Sequence, residues 1–162
     1  MRSIQCTDDV GKELSPDDWV FAFTRVYAYD TLVNTNPVIT NVTLDGAPVN
    51  PTDGITVMPC TGSRSGPNPS CKTYKLGAEV PDTSWEPSLD HHEAVFSTFY
   101  YTEPVGDFDS DGRLLFDATM GRIDDHAVTL IPKATAGEGK IWVIVQDSRG
   151  GAAWVELPVH VK

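Results

Sequence analysis

The stretch that decides the fold closes the chain: "GKIWVIVQDSRGGAAWVELPVHVK", from Gly139 to Lys162. Two runs of alternating apolar residues flank a short polar turn, which is the pattern of a β-hairpin. With the turn centred on Arg149, antiparallel pairing sets Val143 opposite Val155 and Ile144 opposite Trp154. The first pair belongs to a continuous aliphatic face and the second to the opposite face. We therefore expect a ribbon that buries one face and closes a sheet.

The rest of the chain carries the same kind of signal. Short β-branched and aromatic runs are bounded by Gly, Pro, Asp or Asn, as in "DWVFAFTRVYAY" (Asp18–Tyr29), "PVITNVTLDG" (Pro37–Gly46) and "EAVFSTFYYTE" (Glu93–Glu103). No stretch keeps the apolar spacing of a helix over three turns. Short strands at roughly 8–12-residue spacing with turn signals predict an all-β antiparallel sandwich.

Charge restricts the classes of partner. The 162 residues carry a net charge of −11, and eleven acidic residues against two arginines lie between Asp82 and Asp125. Such a surface repels nucleic acid and anionic membranes, and it attracts cations and basic partners. No run of apolar residues is long enough for a membrane span.

Three cysteines point to a compartment. Cys60 and Cys71 enclose a loop, "TGSRSGPNPS", that has no hydrophobic residue to pack. A disulfide between them would close this loop, as is common in exported domains, whereas the alternative is a pair of unrelated thiols in a cytosolic protein. We predict the disulfide, and with it a secreted, periplasmic or cell-surface location. Zinc is not expected, because no CxxC pair is present.

The closing stretch resembles the last two strands of bacterial extracellular immunoglobulin-like domains of the polycystic-kidney-disease type. These domains end in an alternating strand, Asp-x-x-Gly-Gly and a second alternating strand, and "NTNPVITNVTLDGAPV" is similar to their entry strand. The resemblance covers residues 36–162 and implies an immunoglobulin-like β-sandwich there. Residues 1–35 would then be an N-terminal extension that adds an aromatic strand.

The resemblance also implies an envelope lipoprotein like those of myxobacteria-like bacteria. Lipoproteins of that kind carry their lipid on a cysteine at the mature N-terminus, and Cys6 stands near such a position. The residues before it contain no apolar leader. The sequence leaves Cys6 as lipidated, bridged or free.

The motif "DFDSDGRLLFD" predicts a calcium site. Asp107, Asp109 and Asp111 alternate before a glycine, as in the first half of an EF-hand loop. The backbone carbonyl of Arg113 and the carboxylate of Asp117 would complete the oxygen ligands. The alternative is a polar hairpin turn, since Asp and Gly are favoured in turns for backbone reasons.

Tryptophans supply the candidate binding residues. Trp142 and Trp154 share the face of the hairpin that points away from the core, and Trp19 lies in the aromatic N-terminal strand. Exposed Trp rings, Trp85 included, stack on sugars in carbohydrate-binding sandwiches. The interpretation we favour is that the hairpin face is covered by the N-terminal strand or by a neighbouring chain.

No nucleophile lies in a recognisable catalytic motif; neither "TGSRSG" nor "FDSDG" is a GxSxG elbow. We therefore predict that the protein is not an enzyme but a structural or assembly module of the bacterial envelope or of an extracellular complex, stabilised by calcium. Its partner would be another envelope protein or a copy of itself. The alternative is a carbohydrate-binding module.

Overall fold

The computed structural model describes residues 10–12, 34–64, 70–87 and 90–162. Within these residues the chain forms eleven β-strands, a single 3-10 turn and no α-helix, so the predicted all-β class is confirmed. In chain order the elements are β1 (Asn41–Leu44), β2 (Ala47–Val49), β3 (Ile55–Val57), β4 (Tyr74–Glu79), the 3-10 turn (Asp82–Ser84), β5 (Val95–Tyr101), β6 (Gly106–Phe108), β7 (Gly112–Asp117), β8 (Gly121–Arg122), β9 (Val128–Pro132), β10 (Gly137–Asp147) and β11 (Ala152–Val161).

The described strands form two sheets. One has five strands in the order β2-β1-β4-β9-β6, and the other has six in the order β3-β11-β10-β5-β7-β8. Neighbouring strands are antiparallel except β3 and β11, which run parallel. The five-stranded sheet is curled like half of a barrel. Apolar side chains from both sheets share one buried core.

The terminal ribbon has the predicted register. In β10 and β11, Val143 pairs with Val155 and Ile144 pairs with Trp154, within a ladder that runs from Gly137–Val161 to Gln146–Ala152. The ribbon's fully buried side chains are Ile141, Val143, Val145, Leu157 and Val159. Their positions alternate along each strand, so the period of two in the sequence does separate a core face from an outer face.

The first strand is shorter than the sequence indicated. Of the predicted strand Pro37–Gly46, only Asn41–Leu44 forms β1 and lies in register with β4. Before it, the backbone N–H of Val38 donates to Ser84 Oγ at 3.1 Å and so leaves the sheet. After it, Asp45 (φ 51°) and Gly46 (φ 81°) form the two-residue loop between β1 and β2. Positive φ at both positions matches a type I′ turn, which suits the twist of a hairpin.

The predicted disulfide is present. Cys60 and Cys71 are bonded, and Cys60 is fully buried. Arg64, within the enclosed loop, donates from Nε to the carbonyl oxygen of Pro132 at 2.8 Å and forms an ion pair with Asp107. The disulfide therefore fastens its loop across the strands β9 and β6 at one edge of the five-stranded sheet.

The N-terminal part of the prediction falls outside the described residues. Cys6, Trp19 and the aromatic strand Asp18–Tyr29 all lie there, so lipidation at Cys6 and the role of Trp19 stay predictions. Among the described residues, no helix has the length and apolarity that crossing a bilayer requires.

Removing the disulfide tests how much it contributes to the stability of the fold. We expect the double substitution Cys60→Ser with Cys71→Ser to lower the free energy of unfolding by about 3 kcal/mol, because the enclosed loop then regains its freedom in the unfolded chain. Urea denaturation followed by Trp fluorescence measures this loss. Cys6→Ser is the matched control and should leave the midpoint unchanged. Equal stability of the double variant and the wild type would show that the bridge contributes nothing.

Candidate functional site

The outer side of the six-stranded sheet carries an apolar surface. Its members point away from the core on four adjacent strands, and we refer to them together as the aromatic face. The aromatic face consists of Phe96, Tyr100, Leu114, Trp142, Ile144 and Trp154. Its rows follow from the register: Tyr100 pairs with Trp142, and Ile144 pairs with Trp154. Three hydrogen-bonded strand pairs therefore hold these side chains on a rigid support.

Two rings of this face are unusually exposed. Trp154 keeps 66% of its surface accessible and Tyr100 keeps 56%. Single exposed apolar residues are common, but a contiguous group with two large aromatic side chains is typical of an interaction surface. Trp and Tyr are also the residues that contribute most often to binding free energy at protein interfaces.

A polar contact fixes Trp142. Its indole Nε1 donates to Glu156 Oε2 at 2.9 Å, and Lys140 Nζ lies 2.6 Å from the other oxygen of Glu156. The hydrogen bond from Lys140 is the main cause that lowers the pKa of Glu156; burial opposes it, and the hydrogen bond from Trp142 and the charge of Lys140 add to the lowering. Glu156 is therefore ionised at neutral pH, and the indole is held in one orientation.

A shallow depression of about 290 Å³ lies beside the aromatic face. It is lined by Phe96, Thr98, Asp111, Gly112 and Leu114, among others. Thr98 pairs with Gly112 at its base. A Cβ at position 112 would lie 2.3 Å from the carbonyl oxygen of Ser97, so only glycine fits. Its lining combines the apolar side chains of Phe96 and Leu114 with one carboxylate, Asp111, and one cation, Arg113.

The sequence found only part of this surface. Trp142 and Trp154 were predicted on the outer face and lie there, whereas Tyr100, Phe96 and Leu114 were not singled out. In "EAVFSTFYYTE" both alternating sets are largely apolar or aromatic, so the pattern alone does not say which set faces outward. Trp85, the remaining described tryptophan, is stacked on His92 and packs against the core.

Three of the four carboxylates of the predicted calcium loop are engaged by other partners. Asp107 is paired with Arg64, and Asp109 Oδ2 accepts a hydrogen bond from Arg113 at 3.0 Å. Asp117 Oδ1 accepts the backbone N–H of Thr119 at 2.9 Å and closes the turn between β7 and β8. Each of these side chains therefore has a local structural task.

Electrostatics agree with these pairings. Burial acts to raise the pKa of Asp109, but hydrogen bonds from Thr129 and the charge of Arg113 lower it overall. Backbone and hydroxyl donors of Thr119, with the N–H of Met120, lower the pKa of Asp117. In the part of the chain that the structure describes, no three acidic, histidine or cysteine side chains are grouped to hold a metal ion. The calcium prediction thus rests on the sequence spacing alone.

Calcium binding is tested by melting. Because Arg64 and Arg113 already neutralise two of the carboxylates, we expect the same melting temperature with calcium as with EDTA. A site occupied at a hundredfold excess over its Kd would instead add about 2.7 kcal/mol to the free energy of unfolding. Such a calcium-dependent rise, lost on Asp111→Asn, would establish the ion that the sequence spacing predicts.

A buried ionic group lies behind the hairpin turn. Arg149, 4% exposed at its side chain, donates from Nε to Glu93 Oε2 at 2.7 Å and from Nη2 to Glu86 Oε2 at 2.8 Å. Asp147 Oδ1 accepts the backbone N–H groups of Arg149 and Gly151, both at 2.8 Å. We refer to Glu86, Glu93, Asp147 and Arg149 as the Arg149 cluster.

The Arg149 cluster holds three carboxylates around one guanidinium. Burial is the main cause that raises the pKa of Glu93, and the hydrogen bond from Arg149 opposes it. Burial would lower the pKa of Arg149, but its bond to Glu93 and the surrounding carboxylate charges raise it overall. Arg149 is therefore the cation on which the ionised state of Glu93 depends.

The Arg149 cluster also binds the segment that precedes β1. Asn34 Nδ2 donates to Asp147 Oδ2 at 3.2 Å, and the N–H of Thr35 donates to Glu86 Oε2 at 3.1 Å. The sequence reading placed Arg149 in the turn and missed its partners, because Glu93 and Glu86 are 56 and 63 residues away along the chain. The sequence feature that pointed towards this cluster was an arginine in a tight turn of a strongly acidic chain.

Arg149→Met should be strongly destabilising. Without the guanidinium, Glu93 becomes a buried charge with no cation, which costs about 3–5 kcal/mol. The pKa of Glu93 is already raised, so the folded state binds this proton more tightly than the unfolded chain does. The contribution of Glu93 is therefore fully present at low pH and is lost as pH rises through its folded pKa.

We consequently expect the loss in Arg149→Met, measured by urea denaturation, to be larger at neutral pH than in mild acid. Arg122→Met is the control, because the pair of Arg122 with Asp82 is on the surface and worth less than about 1 kcal/mol. A deficit in Arg149→Met that does not change with pH would contradict the assigned role of Glu93.

Comparison with known proteins gives no further identification. The chain matches no protein-family model, no curated protein and no solved structure. The function therefore has to be argued from the aromatic face, the disulfide and the topology of the two sheets.

Proposed function

We propose that this protein is a non-catalytic binding and assembly module with an immunoglobulin-like fold, which works in the bacterial envelope or in an extracellular complex. Its aromatic face contacts a protein partner, either another envelope protein or a second copy of the chain. The observation that carries the proposal is the pair of exposed rings, Trp154 and Tyr100, on a rigid sheet.

Strand order supports the immunoglobulin-like assignment. In that fold, strands A, B and E are neighbours in one sheet, and strands C, F and G are neighbours in the other. Here β1, β4 and β9 are adjacent in one sheet, while β11, β10 and β5 are adjacent in the other, in the corresponding chain order. Strand β6 is the departure, because it pairs with β9 but precedes β7 in the chain.

The disulfide supports the location. Disulfides persist in oxidising compartments and are rare in the reducing cytoplasm. The bond between Cys60 and Cys71 closes such a disulfide loop here. A net charge of −11 further favours a soluble surface that repels nucleic acid and anionic lipid headgroups. An exported, soluble module fits both features.

Carbohydrate binding is the second candidate function, and the depression favours it. Aromatic rings stack on the apolar faces of sugar rings, and carboxylates accept hydrogen bonds from sugar hydroxyls. Trp154 and Tyr100 supply rings, and Asp111 supplies a carboxylate in the depression. This arrangement would suit one or two exposed sugar units.

Substitution of the exposed rings separates the two candidates. We expect Trp154→Ala and Tyr100→Ala each to weaken the binding of labelled protein to envelope extracts by at least tenfold, because each truncates a large exposed aromatic contact of the face. Met120→Ala is the matched control, since Met120 is exposed but lies in the turn between β7 and β8.

A glycan array with the same three variants and with Asp111→Asn completes the test. Array binding that is lost in Trp154→Ala and in Asp111→Asn would favour the carbohydrate candidate. Protease-sensitive binding to extracts, with no array signal, would favour a protein partner. Equal binding by all three variants and the wild type would exclude the aromatic face as the binding surface.

A further inference from the structure

The depression lies at one end of a row of outer side chains. On the outer side of the six-stranded sheet, paired residues of neighbouring strands form rows that cross the strands. One row consists of Trp154, Ile144, Thr98 and Gly112. Its side chains become smaller from β10 to β7, and Thr98 and Gly112 line the depression. The row therefore leads from the exposed ring of Trp154 to a recess between β5 and β7.

Apolar side chains stand on both sides of this row. Phe96 and Tyr100 lie two positions before and after Thr98 in β5, so all three point to the same side of the sheet. Leu114, the partner of Phe96, is exposed and lines the depression with it. A side chain that enters the depression thus contacts Phe96 and Leu114 and has the ring of Tyr100 in the neighbouring row.

Two charged residues line the depression, and they differ in how they are paired. Arg113 Nη2 donates to Asp109 Oδ2 at 3.0 Å, and Arg113 Nε donates to the carbonyl oxygen of Ala127 at 3.1 Å. Asp111 is exposed, and its carboxylate makes no hydrogen bond or ion pair with the residues that the structure describes. The charge that remains available to a ligand in the depression is therefore negative.

Exposed aromatic rings beside such a carboxylate favour a cationic side chain. A guanidinium or ammonium group is attracted to the face of a Trp or Tyr ring, and Trp154 and Tyr100 are the exposed rings here. A carboxylate such as that of Asp111 accepts a strong, charge-assisted hydrogen bond from the same groups. Arginine and lysine also have long apolar stems, which suit contact with Phe96 and Leu114.

The charge of the whole chain distinguishes between two kinds of protein partner. Two copies that each carry a net charge of −11 repel one another, whereas a basic partner is attracted. Eleven acidic residues against two arginines lie between Asp82 and Asp125, and this stretch contains both β5 and β7. The part of the chain that forms the depression is thus the most acidic part, which favours a basic partner over a second copy.

We propose that the depression takes an arginine or lysine side chain from a basic segment of a protein partner. The apolar stem of that side chain packs against Phe96 and Leu114, and its cationic group pairs with Asp111. Trp154 and Tyr100 contact the neighbouring residues of the segment. The assignment rests on the proposed function, in which the aromatic face binds a protein, and it adds the chemistry of that protein.

Peptide titrations followed through the amide NMR signals test the proposal. The probes are three pentapeptides with the same glycine and serine flanks, whose central residue is arginine, lysine or citrulline. Citrulline has nearly the shape of arginine without its charge. We expect the arginine and lysine peptides to shift the amide signals of Thr98, Gly112 and Leu114. At low salt they should bind at least about tenfold more tightly than the citrulline peptide.

Asp111→Asn should weaken the arginine peptide by at least about tenfold and leave the affinity for the citrulline peptide unchanged. Asp125→Asn is the matched control, because Asp125 is exposed in the same acidic stretch but does not line the depression. It removes the same charge and should leave the affinity for the arginine peptide almost unchanged. Unaltered amide signals outside the depression show that both variants are folded.

Equal affinity for the three peptides would overturn the proposal, as would an affinity for the arginine peptide that Asp111→Asn does not change. Glycan binding that is lost in Asp111→Asn, with no signal shifted by the arginine peptide, would assign the depression to a sugar and also overturn it. In these cases a protein-binding aromatic face still stands if Trp154→Ala and Tyr100→Ala lose protease-sensitive binding to extracts. If those two variants bind extracts like the wild type, the proposed function fails and the assignment fails with it.

Discussion

The period of two along the ribbon of β10 and β11 is the constraint on which the rest of the structure depends. Each inward residue of one strand pairs with an inward residue of the other, as Val143 does with Val155. A shift of one residue would exchange the two faces, sending the aliphatic set to solvent and Trp142 with Trp154 to the core. The register therefore decides both what is buried and what can bind.

Behind the turn of this ribbon, the Arg149 cluster connects three separate parts of the chain. Arg149 comes from the hairpin, Glu86 and Glu93 come from the segment between β4 and β5, and Thr35 arrives from the N-terminal side. A buried ion pair is a weak source of net stability, but breaking it is costly. The cluster here holds a segment in place. By binding Asn34 and Thr35, it sets Asn36 beside Ala152, the first residue of β11.

Features that depend on local sequence patterns were predicted better than contacts between distant segments. The hairpin register followed from sequence because turn position and alternation agree, and the disulfide followed because its loop has nothing apolar to pack. The first strand was predicted too long. The hydrogen bond by which Val38 leaves the sheet needs Ser84, which only the folded chain brings close. The ion-pair partners of Arg149 and Asp107 could not be predicted, because ion pairs between distant segments produce no periodic pattern in the sequence. Tyr100 was missed because both alternating sets of residues in β5 are largely apolar or aromatic.

The central claim is that the inner face of the ribbon stabilises the fold while its outer face is available for binding. Equilibrium unfolding in urea of Val143→Ala and Trp154→Ala tests it most directly. Val143 is fully buried and Trp154 is 66% exposed, so we expect Val143→Ala to cost about 2–3 kcal/mol and Trp154→Ala less than about 1 kcal/mol. Trp loses far more atoms than Val, so side-chain size alone would give the reverse order. A larger loss in Trp154→Ala than in Val143→Ala would contradict the account.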